Sequence, residues 1–282
     1  MSILESIILG IVQGLSEFLP ISSSAHLTLA GKLMNVVPKD HPESWTAFIA
    51  VIQLGTLISI LIYFSKDIIN ITSEFLRDNI RLKLKYSEQS FYSRLGWMIV
   101  IGTIPIVIIG FGFKDIIEGA LTKNLYVISS SLIIFAIILA IAERVAEHKR
   151  DIKELTIKDS FIVGIAQSFA LIPGASRSGT TITGGLFVGL KRSDAARFSF
   201  LLSIPAVFAS GLLELYSALK YIDASMMINF VVATGASAVS GYIAIDFLIK
   251  YLKKHSTFLF VYYRIALGLL ILILLITNSI NS

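Results

Sequence analysis

The chain reads as an all-α integral membrane protein, an inverted-topology repeat of six spanning helices and two re-entrant helical hairpins whose broken tips meet near the midplane. Three observations predict this. Of 282 residues, 55% are hydrophobic and 15% charged, and the mean hydropathy is +0.80, too oily for a soluble domain. Six apolar stretches, 46–64, 94–112, 125–143, 197–216, 228–248 and 258–277, have the length needed to cross a hydrocarbon core about 30 Å thick. Two other apolar runs stop short at a proline and match each other at a fixed offset.

The first short run, residues 7–19, ends at Pro20 and the triplet Ser22 to Ser24. At 1.5 Å per residue it is about 20 Å long, two-thirds of a crossing. A second apolar piece, Leu27 to Met34, follows, and then three spanning stretches. The pattern restarts at residues 160–172, which end at Pro173 and Gly174 and lead into Thr181 to Leu190 and three more spans. Slid by 154 residues, Gly10, Ile11 and Gln13 fall on Gly164, Ile165 and Gln167, and Ser22, Ser24 and Gly31 fall on Ser176, Ser178 and Gly185. Asp115 and Asp246 fit the alignment loosely. A single membrane domain, 1–282, is expected, with repeat one at about 1–145 and repeat two at about 155–278. Broken backbone at membrane depth is tolerated only inside protein or along a cavity.

Loop charge sets the orientation. If both short runs turn back, loops 65–94, 144–158, 191–197 and 249–257 share one side with 17 Lys and Arg, against Lys32, Lys39, Lys114, Lys123 and Lys220 on the other. If both cross, the division is 12 against 10. The positive-inside rule selects the first arrangement. The basic side is then cytoplasmic, both termini lie outside, and the hairpins enter from opposite sides. The net charge of +5 is absorbed by topology, so membrane lipids rather than nucleic acid are the expected partners. A chain without cysteine excludes disulfides, thiolate metal sites and thiol nucleophiles. The N-terminus lacks a positive region and carries Glu5 and Glu17, so it is expected to be retained.

Within this oily chain, PGASRSGTT sets Arg177 among glycines and hydroxyls. An ionisable side chain at membrane depth costs roughly 2.5 to 3.5 kcal/mol, which marks a functional site with a partner. Gly174 lets backbone approach a ligand, Ser176, Ser178, Thr180 and Thr181 offer donors, and the planar fork of Arg177 suits a phosphate. On the first break, Gln13 and Glu17 are four apart and share a helical face. A carboxylate there needs a proton or a cation, and Mg²⁺ or Ca²⁺ shared with substrate phosphate oxygens meets that need. A glutamate hydrogen-bonded in a packing seam, or an Arg177 to Glu17 pair that only joins the tips, are the plainer readings. Ser22, Ser23 and Ser24 form either a simple turn or a helix start whose free N–H groups bind phosphate. His26 lies three residues after Ser23, within reach as its general base. Glu143, Arg144, Glu214 and Asp246 lie near segment ends and are expected in interface water, Arg197 to snorkel, and Arg264 to snorkel or pair. The charges of loop 65–94 suggest a solvated connection.

QGLSEFLPISSSAH, PGASRSGTT and FSFLLSIPA at 198–206 together resemble the undecaprenyl-diphosphate phosphatase family, also called bacitracin-resistance proteins, over nearly the whole chain. The resemblance implies a metal-dependent phosphatase that converts the C55 lipid carrier diphosphate to its monophosphate and phosphate. Such an enzyme recycles the carrier for cell-wall synthesis, gives bacitracin resistance, and opens its site to the outer face of the plasma membrane. By position, the family's (E/Q)xxxE motif falls on Gln13 and Glu17, its serine and histidine on Ser23 and His26, and its PGxSRSxxT motif on Ser176, Arg177, Ser178 and Thr181. Position 13 is Gln where many members have Glu, and position 25 is Ala where Gly is common. The first departure bears on metal stoichiometry.

The expected mechanism has Glu17 holding the metal, Arg177 and the tip hydroxyls clamping the diphosphate, and Ser23, deprotonated by His26, attacking the terminal phosphorus. Attack by His26 or by a metal-bound water fits the same residues. A polyprenyl-phosphate flippase shares the predicted architecture and is the rival function. A homodimer is compatible with the sequence and not required by it.

Overall fold

The structure, a computed structural model, describes residues 1–37, 42–113, 124–218 and 227–280. Asp115, Lys39, Lys114, Lys123 and Lys220 lie outside the described residues, as does the side chain of Glu214. Among the described residues the regular elements are helical. In chain order they are α1 (Ile3–Phe18), α2 (Ser23–Leu33), α3 (Pro42–Tyr63), α4 (Ser65–Leu76), α5 (Phe91–Gly112), α6 (Leu125–Val145), α7 (Ile157–Ser168), α8 (Arg177–Phe187), α9 (Arg192–Ala218), α10 (Met227–Leu252) and α11 (Phe258–Ile276). Six are long and apolar enough to cross a membrane: α3 from Trp45, α5, α6, α9 to Leu213, α10 and α11. They coincide with the six predicted spans within a few residues, and the protein is a multi-pass membrane protein.

The two short runs break where proline demands it. Proline pushes the residue before it out of the helical region, and Leu19 (ψ 141°) and Ile172 (ψ 122°) are both extended. The same local structure then occurs twice, 154 positions apart. Capping boxes start α1 (Ser2 with Glu5) and α7 (Thr156 with Asp159). Ser22 and Ser176 both have positive φ, 76° and 70°, and each caps the following helix, accepting from Ala25 N–H at 3.4 Å and from Gly179 N–H at 3.2 Å. At the far ends of α2 and α8, Asn35 and Gly189 both turn left-handed, and Val36 and Leu190 each donate 3.1 Å back to Gly31 and Gly185.

Small residues allow the short helices to pack deep. Gly10 and Gly14 of α1 lie against Ala233, Ser237 and Ser240 of α10, where any Cβ would strike backbone. Gly164 of α7 meets Gly102 of α5 in the same way. Close approach of this kind replaces the hydrophobic driving force that helix pairs lack in lipid. The main core joins Phe18, Ile60, Leu95, Leu139, Phe198 and Phe200, so residues from both ends of the chain share one interior. Phe18 and Phe200 pack edge to face at 5.5 Å and close the floor beneath the breaks.

Three expectations about the periphery need correction. Loop 65–94 is not merely a solvated connection, because it contains α4 and a polar knot. Asp78 accepts from Arg77 at 2.8 Å and from Ser90 N–H at 2.9 Å, and Asn79 accepts from Trp97 at 3.0 Å. Glu143 is buried rather than bathed in interface water. Its carboxylate receives Arg192 at 2.6 Å and the Thr257 hydroxyl at 2.9 Å, tying the end of α6 to the starts of α9 and α11. Arg197 does not simply snorkel, since it pairs with Asp67 of α4 at 2.7 Å.

Candidate active site

The two breaks touch. Arg177, the first residue of α8, forms an ion pair with Glu17 in the last turn of α1. Ser178 Oγ donates to the Leu19 carbonyl at 3.0 Å, and Gly174 N–H donates to Ser24 Oγ at 3.3 Å. The pair is part-buried, so removing one member strands a charge that water reaches only partly. Both helices that begin here, α2 and α8, direct free first-turn N–H groups and the positive ends of their dipoles at the junction. A hydroxyl-rich cation site between two helix starts is suited to an anion with several oxygens.

Glu17 is the hub. Besides Arg177, its carboxylate accepts from Ser23 Oγ at 2.6 Å and from Gln13 Nε2 at 3.2 Å. Gln13 is buried, and its Oε1 has no hydrogen-bond partner among the described residues. An orphaned buried acceptor is costly, and this one lies on the residue that also touches Glu17. The oxygens of Gln13, Glu17 and Ser23 make a hard donor set that fits Mg²⁺ or Ca²⁺ once substrate oxygens are added. Among the described residues no group of three His, Cys, Asp or Glu could hold a metal, so substrate oxygens would have to complete the shell.

Other predicted residues are placed differently from one another. Ser22 and Ser24 hydroxyls are 3.0 Å apart, and those of Ser176 and Ser178 are 3.2 Å apart, so each break carries a matched hydroxyl pair. Gly174, at φ 89°, packs on the Ile128 backbone, where a side chain could not fit. Thr181 turns toward its own helix, donating to the Arg177 carbonyl at 2.7 Å and pairing with Ser199 of α9. His26 is not hydrogen-bonded to Ser23. Its Nδ1 bonds the Ser22 carbonyl at 2.7 Å and its Nε2 the Tyr263 hydroxyl at 2.6 Å. Since a carbonyl can only accept, Nδ1 carries the proton in the neutral ring, and Tyr263 donates to Nε2.

Four further residues belong to this centre. Ser199 and Ser203 line a small cavity with Glu17, Arg177 and Ser178. Their i, i+4 spacing inside an apolar span was the available signal. Tyr263 and Arg264, consecutive on α11, reach opposite breaks: Tyr263 holds His26, and Arg264 Nη2 donates to the carbonyls of Gly174 at 3.2 Å and Ala175 at 2.8 Å. Arg264 is fully buried and neither snorkels nor meets a carboxylate. Its Nε and Nη1 have no partner among the described residues, and Nη1 fills the space that a side chain on Gly179 would need.

Fold and site together define a polytopic helical membrane protein with a charge-paired, hydroxyl-lined centre where two broken helices meet. The family model for bacitracin resistance protein BacA matches residues 6–270, and the chain belongs to that family. It is 54% identical over 268 residues to an undecaprenyl-diphosphatase of Syntrophobacter fumaroxidans, with 95% of each chain covered. Undecaprenyl-diphosphatases of Chloroherpeton thalassium (50% identical, all of each chain covered) and Chlorobaculum tepidum (47%, 99% of each) are similarly related.

Proposed function

We propose that this protein hydrolyses undecaprenyl diphosphate to undecaprenyl phosphate and inorganic phosphate, and thereby recycles the lipid carrier for cell-wall synthesis and gives resistance to bacitracin. The observation that carries the reading is Glu17, whose one carboxylate holds the Ser23 hydroxyl on one side and Arg177 on the other. An incoming diphosphate competes with Glu17 for Arg177, whose fork binds phosphate oxygens and stabilises charge as it develops. The carboxylate so released is the group placed to take the Ser23 proton. Ser23 Oγ then attacks the terminal phosphorus, the bond to the bridging oxygen breaks, and the lipid monophosphate leaves. Water hydrolyses the phosphoserine in a second step, restoring Ser23 and releasing phosphate. His26, committed to Ser22 and Tyr263, holds the first break in shape. This assignment departs from the expected one, in which His26 is the base.

Glu17, Gln13 and Ser23 would hold Mg²⁺ or Ca²⁺, which when bound would neutralise charge on the diphosphate. The rest of the phosphate contacts fall to Ser22, Ser24, Gly174, Ser176 and Ser178, with Thr181 bracing the start of α8 against α9. We further infer that the two breaks belong to inverted repeats whose tips lie near the bilayer midplane. Three observations support this: matched caps 154 residues apart, short helices about 16–24 Å long by their rise, and reciprocal packing, in which α1 lies on α10 and α7 on α5. The basic loops then face the cytoplasm and the site opens outward.

The reading is tested by phosphate release from undecaprenyl diphosphate by the purified chain with Mg²⁺. Arg177→Ala and Glu17→Ala are each expected to reduce the rate at least about 10²-fold. Full activity in both variants would overturn the site, and no release from the wild-type protein would overturn the reaction.

A further inference from the structure

A second cavity, of about 330 Å³, lies where α5, a spanning helix, and α7 begin, and it shares no lining residue with the charged centre. Its floor is apolar, made by the buried Met98 and Leu155 with Phe91, and its walls carry Arg94, Lys153 and Lys158. No acidic residue lines it. Two of the neighbouring carboxylates are ion-paired elsewhere, Asp151 with Lys191 at 2.7 Å and Asp159 with Arg150 at 2.6 Å, and Glu154 caps the Asp151 N–H at 2.7 Å. Arg94, Lys153 and Lys158 have no ion-pair partner among the described residues. The N-terminal turn of α7 forms one wall, and its cap satisfies the Asp159 N–H, while the N–H groups of Ile157 and Lys158 have no intrahelical acceptor.

We propose that this cavity binds the phosphodiester head group of an anionic membrane lipid. Three cations without an ion-pair partner among the described residues, together with a helix N-terminus, supply the anion site. The apolar floor and the position on the first turn of a spanning helix supply contact for the start of the acyl chains, which a free phosphate ion would leave unused. Basic pockets between membrane helices take anionic head groups on these grounds. A bound lipid would add a bridge between the start of α5 and the start of α7, which already pack on each other through Gly102 and Gly164.

The full-length protein in neutral detergent is titrated with phosphatidylglycerol, with phosphatidylcholine of the same chains, and with inorganic phosphate, and binding is followed by calorimetry. Phosphatidylglycerol is expected to bind, and the Arg94→Gln, Lys153→Gln, Lys158→Gln triple variant to bind it about 100-fold more weakly. Should the triple variant fold poorly, Lys153→Gln and Lys158→Gln alone are each expected to weaken binding several-fold, their positions being exposed. Arg177→Gln is expected to retain the binding, which separates this cavity from the centre between the breaks. Unchanged affinity in the charge-removed variants, equal binding of phosphatidylcholine, loss of binding in Arg177→Gln, or inorganic phosphate binding as tightly as the lipid would each overturn the proposal.

Discussion

At the scale of single residues, the centre is organised by which group already has a partner. Glu17 binds Arg177, Ser23 and Gln13 together, while Arg264 spends one nitrogen on the Gly174 and Ala175 carbonyls and leaves two without a partner among the described residues. Those carbonyls precede Ser176, whose backbone is held at positive φ, a conformation that costs on the order of 1–3 kcal/mol and persists only when its surroundings enforce it. Arg264 is therefore a positioning residue for the second break. Arg264→Leu is expected to lower phosphate release about 10- to 100-fold with little change in KM, and Arg264→Lys, which keeps one donor, to recover part of it. An unchanged kcat in Arg264→Leu would remove this role.

At the scale of elements, polar knots outside the apolar spans decide how helices are joined. The one after α4 depends on Asp78. Its hydrogen bond from Arg77, then that from Ser90, hold its carboxyl below the ordinary carboxylate range. A group whose folded value is depressed adds stability above its unfolded value and loses it as pH falls through the folded value. Asp78→Asn is accordingly expected to lower the melting temperature at pH 7, and the gap from wild type to close only in strong acid. A gap that instead widened as pH fell would contradict the assignment. The knot is not legible in the sequence, because Asp78 meets Ser90, and Asn79 meets Trp97 and Gln89, only when the chain between α4 and α5 folds back, and nothing in their spacing reports it.

At the scale of the whole molecule, the absence of cysteine makes the proposed orientation directly measurable. Single cysteines at Ser2 and Ser279 are expected to react with an impermeant thiol reagent added to intact cells, and one at Lys253 only after lysis. Labelling of Lys253→Cys in intact cells would reverse the orientation. The exchange of partners, α1 on α10 and α7 on α5, also predicts that neither half of the chain folds without the other.

The six spans, the two breaks and their offset of 154 were legible in the sequence, because hydropathy and proline act locally and leave periodic traces. Most of the residues at the junction were legible too, since hydroxyls and an arginine stand out in an apolar background. Tertiary structure alone decided the partners. It gave Ser23 to Glu17 rather than to His26, His26 to Tyr263, Glu143 to Arg192, and the Gly174 and Ala175 carbonyls to Arg264. Adjacency along a helix shows which groups share a face, but a hydrogen bond needs a few tenths of an ångström between chains up to 237 positions apart. That precision is set by how α6 packs against both α8 and α11 and by the junction of α1 with α8, which spacing in the sequence does not encode.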